Sequence, residues 1–345
     1  MTILVTGGAG FIGAHICVEL IREGYSVVVF DNFCNSHGEV LNRIKRISGV
    51  LPVFVRGDVR DREAVVNALE THRCSAVIHL AGLKSVADSF SRSLQYYDNN
   101  VLGTLSLMQA MQRVGVEKLV FSSSATVYGE PMSVPIKEDH ALSPLSPYGR
   151  TKLIVEQMLG DVTSSSFRTA VLRYFNPVGS HESGLIGDDP RGAPDNIMPA
   201  LAEVAIGRRS HLNVFGNDYE TSDGTGVRDY IHVMDIAAAH LRALECVERR
   251  NPIKLNLGTG RGSSVLELVR AFSRASGKDI PLVFAPRRDG DVSCAYACPD
   301  LAHRVLGWGA TRNLDKMCAD AWKWQSNNPG GYGIRNDGST RALST

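Results

Sequence analysis

No apolar run in the chain approaches the roughly 20 residues that a membrane-spanning helix requires, so no membrane partner is expected. Charge of one sign is also missing. Lys and Arg total 37 against 36 Asp and Glu, a formal balance of +1, which leaves no electrostatic footprint for nucleic acid or an anionic surface. Cysteine is sparse and unpatterned: the seven residues Cys17, Cys34, Cys74, Cys246, Cys294, Cys298 and Cys318 are odd in number and scattered. The one close pair, Cys294 and Cys298, has neither a second pair nor a nearby His to complete a zinc site. Free thiols and no metal are therefore expected. Thr2-Ile3-Leu4-Val5 follows Met1 with no basic segment or cleavage site before it, so the expectation is a cytoplasmic protein without a secretory signal. No internal repeat is visible.

What is present is an ordinary soluble-enzyme composition, 43% hydrophobic and 21% charged over 345 residues, long enough for two lobes. Residues 3–6, 26–30, 52–55, 76–80, 118–122 and 169–174 are short apolar or β-branched runs separated by amphipathic stretches. Strands alternating with helices at this spacing predict an α/β fold: a Rossmann-like, doubly wound parallel sheet. From Pro177 to Pro194 the composition turns to Gly, Pro and Asp, and loops this long in a compact protein are usually functional. Beyond it, helices over 196–207, 234–247, 265–275 and 314–325 and strands over 212–215, 254–257 and 282–284 suit a smaller α+β substrate-binding lobe. The stretch from Pro329 onward is rich in Gly, Asn and Ser and is expected to fray.

The first run leads into Gly7-Gly8-Ala9-Gly10-Phe11-Ile12-Gly13. Glycine in such a turn lets the backbone approach a pyrophosphate, and the following helix offers its unpaired N–H groups to it. Steric need alone also places glycine in tight turns, so context decides. Asp31 ends the second run, where a carboxylate accepts ribose hydroxyls and repels a 2′-phosphate; no Arg follows it directly, which favours NAD over NADP. Asp58 and Val59 follow the third run, and Ala81-Gly82 the fourth. Four such features at the C-terminal ends of successive strands point to a bound dinucleotide.

Tyr148 and Lys152 stand four residues apart, on one face of a helix. Tyr-x-x-x-Lys also arises by chance on helix surfaces. Ser122-Ser123-Ser124, at the end of the fifth run, supplies hydroxyls at the same sheet edge. An isolated tyrosine titrates near 10, and lowering that by about three units takes ~4 kcal/mol. One cation ~4 Å away at an effective dielectric of about 20 supplies about that much. Lys152 and a positive nicotinamide ring are two such cations, so Tyr148 is the expected general base.

With these residues the chain resembles the extended short-chain dehydrogenase/reductase superfamily, to which Tyr97-Asp98-Asn99-Asn100 also corresponds. Three longer strings, 121–129 (FSSSATVYG), 172–179 (LRYFNPVG) and 223–233 (DGTGVRDYIHV), are similar to the UDP-galactose 4-epimerase family. The resemblance implies an NAD-dependent isomerase that oxidises the sugar at C4, lets the keto sugar swing, and reduces it on the other face. It implies cofactor contacts from Gly7, Gly10, Phe11, Ile12, Gly13, Asp31, Asn32, Asn35, Ser36, Asp58, Val59, Leu80, Ala81, Gly82, Lys84, Asn99, Ser124, Tyr148, Lys152 and Phe175. Lys84, Ser124, Tyr148, Asn176, Asn196, Ile197, Leu212, Phe215, Arg228, Arg288, Asp291 and Ala295 would meet the UDP-sugar. Guanidinium forks suit a diphosphate, and Asp291 suits a ribose diol. The implied organisation is an NAD-binding domain over 1–176, rejoined by a segment at about 229–250, and a mainly substrate-binding lobe over 177–345.

Departures from the family pattern are Phe11 for a common tyrosine, Leu80 for a frequent phenylalanine and Asp195 for an asparagine. Ala295 aligns, counting from Gly290-Asp291, with a position where relatives restricted to glucose and galactose carry tyrosine. Its small size implies room for UDP-GlcNAc and UDP-GalNAc, although a one-residue bulge would substitute Tyr296. Apolar residues on two sides of 94–114 and 153–159 exceed what one buried stripe needs, and family members pair through these helices; a homodimer is implied. A 4,6-dehydratase would need Asp-Glu where Ser124-Ala125 stands, and a non-catalytic NAD sensor would need no Tyr, Lys and Ser together. His79 and His232 read as packing residues.

Overall fold

A computed structural model describes residues 1–163, 167–192, 194–249 and 252–333. In the first part, β1 (Thr2–Thr6), α1 (Phe11–Arg22), β2 (Ser26–Asp31), α2 (Glu39–Ser48), β3 (Val53–Arg56), α3 (Arg62–Thr71) and β4 (Ala76–His79) follow one another. Next come α4 (Val86–Ser91), α5 (Ser93–Tyr96), a π-helical turn (Tyr97–Leu102), α6 (Gly103–Val114), β5 (Lys118–Ser124), α7 (Pro147–Val162) and β6 (Arg168–Tyr174). The rest comprises β7 (Asn176–Val178), α8 (Ile197–Ala205), β8 (Leu212–Phe215), β9 (Val227–Arg228), β10 (Tyr230–His232), α9 (Val233–Arg249) and β11 (Ile253–Leu257). It ends with β12 (Ser263–Ser264), α10 (Val265–Ser276), β13 (Leu282–Ala285), β14 (Cys294–Ala295), α11 (Asp300–Leu306) and α12 (Leu314–Asn327).

Seven strands form one sheet in the order β11-β6-β5-β4-β1-β2-β3, and every pair in it is parallel. Side chains alternate across it as the strand period of two demands. Ile3 and Val5 pack with Ile16 and Leu20 of α1, Ile44 of α2 and Ile236 of α9. Leu4, between them, packs on the other face with Leu69 of α3, Leu107 of α6 and Leu159 of α7. Both faces are thus covered, which is why Ile3, Leu4 and Val5 are all fully buried and the run reads as continuously apolar. The fold is the expected Rossmann-like, doubly wound sheet.

Two elements differ from expectation. The run at 254–257, read with the smaller lobe, is β11 and forms the edge of the main sheet beside β6. Burial of Leu255 and Leu257 against the sheet and α9 outweighs proximity in sequence. The end of the chain does not fray at Pro329: residues through Gly333 are described, and Tyr332 is tied down by hydrogen bonds to Asp189 and Gly187. Residues 334–345 lie outside the described part. The smaller lobe has its own core, in which Leu201 of α8, Val214 of β8, Phe272 of α10 and Cys318 of α12 are buried together. Among the described residues no helix is long and apolar enough to cross a membrane.

Candidate active site

From β1 the chain moves outward to β2 and β3, then returns to β4 on the other side of β1. Such a reversal opens a crevice at the C-terminal ends of the two strands, where α/β sheets bind ligands. The glycine turn lies there. Gly7 has φ of +68°, and a Cβ on it would stand 2.8 Å from the Ala81 nitrogen. One on Gly13 would stand 2.3 Å from the Gly7 carbonyl oxygen, so turn and helix can approach only without side chains. Gly10 occupies the N-cap of α1 with no side-chain cap and no acid in the first turn. A helix start with unmet N–H donors beside such a cradle fits a pyrophosphate, and so fits NAD.

On one side, the Asp31 carboxylate accepts from the Ala9 and Phe33 backbone N–H groups and the Ser36 hydroxyl at 2.9–3.0 Å, which fixes it at the end of β2. Asp58 accepts from the Arg60 guanidinium at 2.9 and 2.8 Å and from Asn32; Arg60, foremost, holds its carboxyl down at about 2. Val59 is buried, Ile12 packs against the core, and Phe11 sits edge-on to His15. On the other side, the Leu80 and Ala81 N–H groups donate to the Thr6 hydroxyl, and Lys84 lies 4.0 Å from Asp188.

Sequence reading selected Asn99; the structure adds its neighbour. Asn99 is half-buried on the π-helical turn. Asn100 is buried, accepts from the Leu83 N–H, and donates to the Leu83 carbonyl and the Thr151 hydroxyl. It couples the loop after β4 to α7. A string of two asparagines carries no signal of which one faces inward once the helix becomes π-helical.

Ser124 ends β5, and α7 starts beside it because Ser146 caps the Gly149 N–H and Pro147 takes the first turn. Tyr148 is half-buried and lies beside Ser124, whose hydroxyl accepts from the Thr126 N–H and hydroxyl. Lys152 donates to the Ser122 carbonyl at 2.7 Å, with its nitrogen 5.8 Å from the Tyr148 ring centre. The phenol departs from expectation. Burial pushes it up to about 12, only partly opposed by Ser124. Lys152 itself is lowered to about 8 by burial, against the pull of Glu156. The protein's own groups therefore leave the Tyr148 phenol above its ordinary value.

On the facing wall, β9 pairs with β14 so that Ala295 stands opposite Arg228. Asp291 lies between two arginines, 2.9 Å from Arg288 Nε and 3.7 Å from Arg228, and the Arg288 guanidinium covers the Phe215 ring at 4.5 Å. Ala295 and Ala125 both pack against the buried cluster that contains Phe175. A Cβ on Gly262 would meet the Tyr296 ring at 3.0 Å, so that ring lies against β12 instead. Asn176 pairs its N–H with the Asp229 carbonyl at the start of β7. Asn196 is exposed at the N-cap of α8, just before Ile197, and makes no cap bond. Leu212 differs from Phe215 at the other end of β8: it is buried in the core of the smaller lobe. Among the described residues, no group of three or more His, Cys, Asp or Glu side chains could hold a metal.

The profile of the NAD dependent epimerase/dehydratase family matches residues 3–258. The UDP-glucose 4-epimerase of Bacillus subtilis (strain 168) is 54% identical over 335 residues, 96% of this chain and 99% of that protein. A solved UDP-glucose-4-epimerase from Stenotrophomonas maltophila, with bound NAD and formylated UDP-arabinopyranose, superposes with a TM-score of 0.93 at 51% identity, covering 95% of this chain and 99% of the other. That from Bifidobacterium longum, in complex with NAD+ and UDP, gives 0.94 at 45% identity, covering 96% and 100%. The chain belongs to the NAD dependent epimerase/dehydratase family, in its UDP-glucose 4-epimerase branch.

Proposed function

We propose that this protein interconverts UDP-glucose and UDP-galactose by transient oxidation at sugar C4, with NAD held tightly through the cycle. The observation that carries the reading is the Tyr148 phenol, beside Ser124 and Lys152, at the same sheet edge as the glycine cradle. NAD, when bound, supplies a reversible hydride acceptor and a positive ring near the phenol. Tyr148 takes the proton from the sugar 4-OH, with Ser124 as its hydrogen-bond relay. On the return step the phenol gives a proton back to the sugar oxygen. Lys152 stabilises the phenolate and is itself held by the Ser122 carbonyl. Arg228 and Arg288 bind the diphosphate, exchanging part of their pairing with Asp291 for phosphate oxygens. Asp31 holds the adenosine ribose.

Several finer assignments belong to the same reading. Residues 1–176 with the returning segment at about 229–250 hold the cofactor, and 177–345 mainly hold the UDP-sugar. Ala295, packed against the buried cluster that contains Phe175, leaves space for an N-acetyl group, so UDP-GlcNAc and UDP-GalNAc are also substrates. Two copies pair through the face that exposes Leu94 at 83%, Leu102 at 54% and Leu105 at 38%, an apolar patch of the kind that marks an interface. The working compartment is the cytoplasm. The test is incubation of the purified protein with UDP-glucose, without added cofactor, and chromatography of the product. UDP-galactose is expected; no conversion even with NAD supplied refutes the reading.

A further inference from the structure

The Gly/Pro/Asp-rich stretch beginning at Pro177 crosses the cofactor crevice. Its Arg191 donates from the backbone N–H to Asn35 Oδ1 at 2.9 Å and from Nε to the Ser36 carbonyl at 3.1 Å. Asp189 lies 3.5 Å from His37. These partners follow β2. Asp188, next in line, stands 4.0 Å from Lys84, which follows β4. In the sheet β2 and β4 flank β1 on opposite sides. A segment that touches the loops after both must pass over the end of β1, which is where the glycine turn lies.

The strap is also held by Tyr332 and residues near it. The Tyr332 N–H donates to Asp189 at 2.8 Å. Its hydroxyl accepts from the Gly187 N–H at 2.9 Å and donates to the Gly187 carbonyl at 3.1 Å. The Tyr332 ring packs on Trp324 with centres 4.6 Å apart. Gly187 fits only as glycine, since a Cβ would stand 2.3 Å from the Trp324 ring. Asn328 extends the same anchorage, donating to the Gly184 carbonyl and accepting from Arg43 of α2.

We propose that residues 187–191 and Tyr332 form a clasp that retains NAD: the strap closes the crevice and Tyr332 holds the strap shut. The clasp rests on the reading of the crevice as the NAD site. It accounts for how a cofactor regenerated in every cycle stays in place without covalent attachment. Leaving requires the strap to lift, and lifting it breaks the Tyr332 and Arg191 bonds together. Tyr332 and Arg191 are positioning residues here.

The experiment measures release of bound NAD. Holoenzyme is diluted into alcohol dehydrogenase and ethanol, which convert released NAD to NADH and report it by absorbance. Each net hydrogen bond contributes about 1 kcal/mol. Arg191→Ala, which removes one such contact, is therefore expected to release NAD about fivefold faster, and Tyr332→Phe, which removes two, about 30-fold faster. Turnover lost on dilution should return on adding NAD. Arg191 is exposed, so its variant carries the test if Tyr332→Phe does not fold. Release within twofold of wild type in the folded variants overturns the clasp. Wild-type protein isolated without any nicotinamide overturns the cofactor reading, and the clasp with it.

Discussion

Replacing Lys152 with methionine isolates the electrostatic part of the proposed base. The phenol of Tyr148 begins at about 12, so working near pH 7 requires about five units, or about 7 kcal/mol, in favour of the phenolate. Burial, not Lys152, dominates the starting value; with the ammonium 5.8 Å from the ring centre, Coulomb's law at an effective dielectric of about 20 limits its share to at most ~3 kcal/mol. That is about two units. Lys152 has itself been lowered only to about 8, so at pH 7 it keeps its proton and remains a cation. Lys152→Met should therefore slow turnover at pH 7 by up to roughly 100-fold and move the acid limb of the rate profile upward by up to about two units. The assay is single-wavelength coupled turnover of UDP-galactose from pH 6 to 10, with bound NAD quantified in parallel. The substitution also strands the Ser122 carbonyl, which costs about 1–3 kcal/mol of stability; the melting temperature separates that effect from catalysis. Tyr148→Phe is the companion control and should lose turnover at every pH while retaining NAD. An acid limb that stays in place in the folded, NAD-loaded Lys152→Met protein would refute the electrostatic argument.

Ala295→Tyr should lower turnover of UDP-GlcNAc by roughly 5- to 150-fold while largely sparing UDP-glucose, because overfilling a packed site costs about 1–3 kcal/mol; equal loss of both activities, or no wild-type activity on UDP-GlcNAc, contradicts it. Acid should destabilise the fold through its buried histidines. Burial lowers His15 and His79 to about 3 and His181 and His240 to about 4. The unfolded chain therefore takes up protons below about 6.5 that the native protein refuses, and stability present at pH 7 is lost as pH falls toward those values. Each contributes up to ~2 kcal/mol of that loss by pH 5, so an unchanged melting temperature between pH 7 and pH 5 would count against this. Sedimentation at micromolar concentration should show a dimer, with Leu105→Glu shifting it toward monomer; a monomeric wild type sinks the proposed pairing.

Much of this was readable because it is local. The glycine turn, the alternation of strands and helices, and the four-residue step from Tyr148 to Lys152 each depend on neighbours in sequence, and the sheet forms as those patterns require. The parts that were not readable depend on distant groups. Tyr332 meets Gly187 across 145 residues, and nothing in a Gly/Asn/Ser-rich tail indicates that one aromatic will anchor it. The membership of β11 in the main sheet follows from where α9 delivers it, not from its own four or five residues. The upward shift of Tyr148 was missed because the sequence displays the neighbouring cation but not the desolvation that opposes it.

The three serines at the end of β5 show how local pattern and distant contact combine at the proposed site. Along one face of α7, Tyr148, Lys152 and Glu156 recur every four residues, and each takes a different group from the serine run. Tyr148 lies beside the Ser124 side chain, Lys152 donates to the Ser122 carbonyl, and Glu156 accepts from the Ser123 hydroxyl at 2.5 Å. Glu156 is fixed in turn by a fork from Arg173 of β6 at 3.0 and 2.6 Å, and Arg173 bonds to Tyr128, which bonds to Asn256 of β11. A buried ion pair of this kind is a weak source of stability, since desolvation offsets most of its attraction. Its geometric effect is larger. With Arg173 and Glu156 almost entirely buried, α7 has one register against β5 in which all three serine contacts are made. A slide of α7 along the strand would strand a buried charge, so the reactive phenol is kept at its hydroxyl partner by a charge pair two helical turns away.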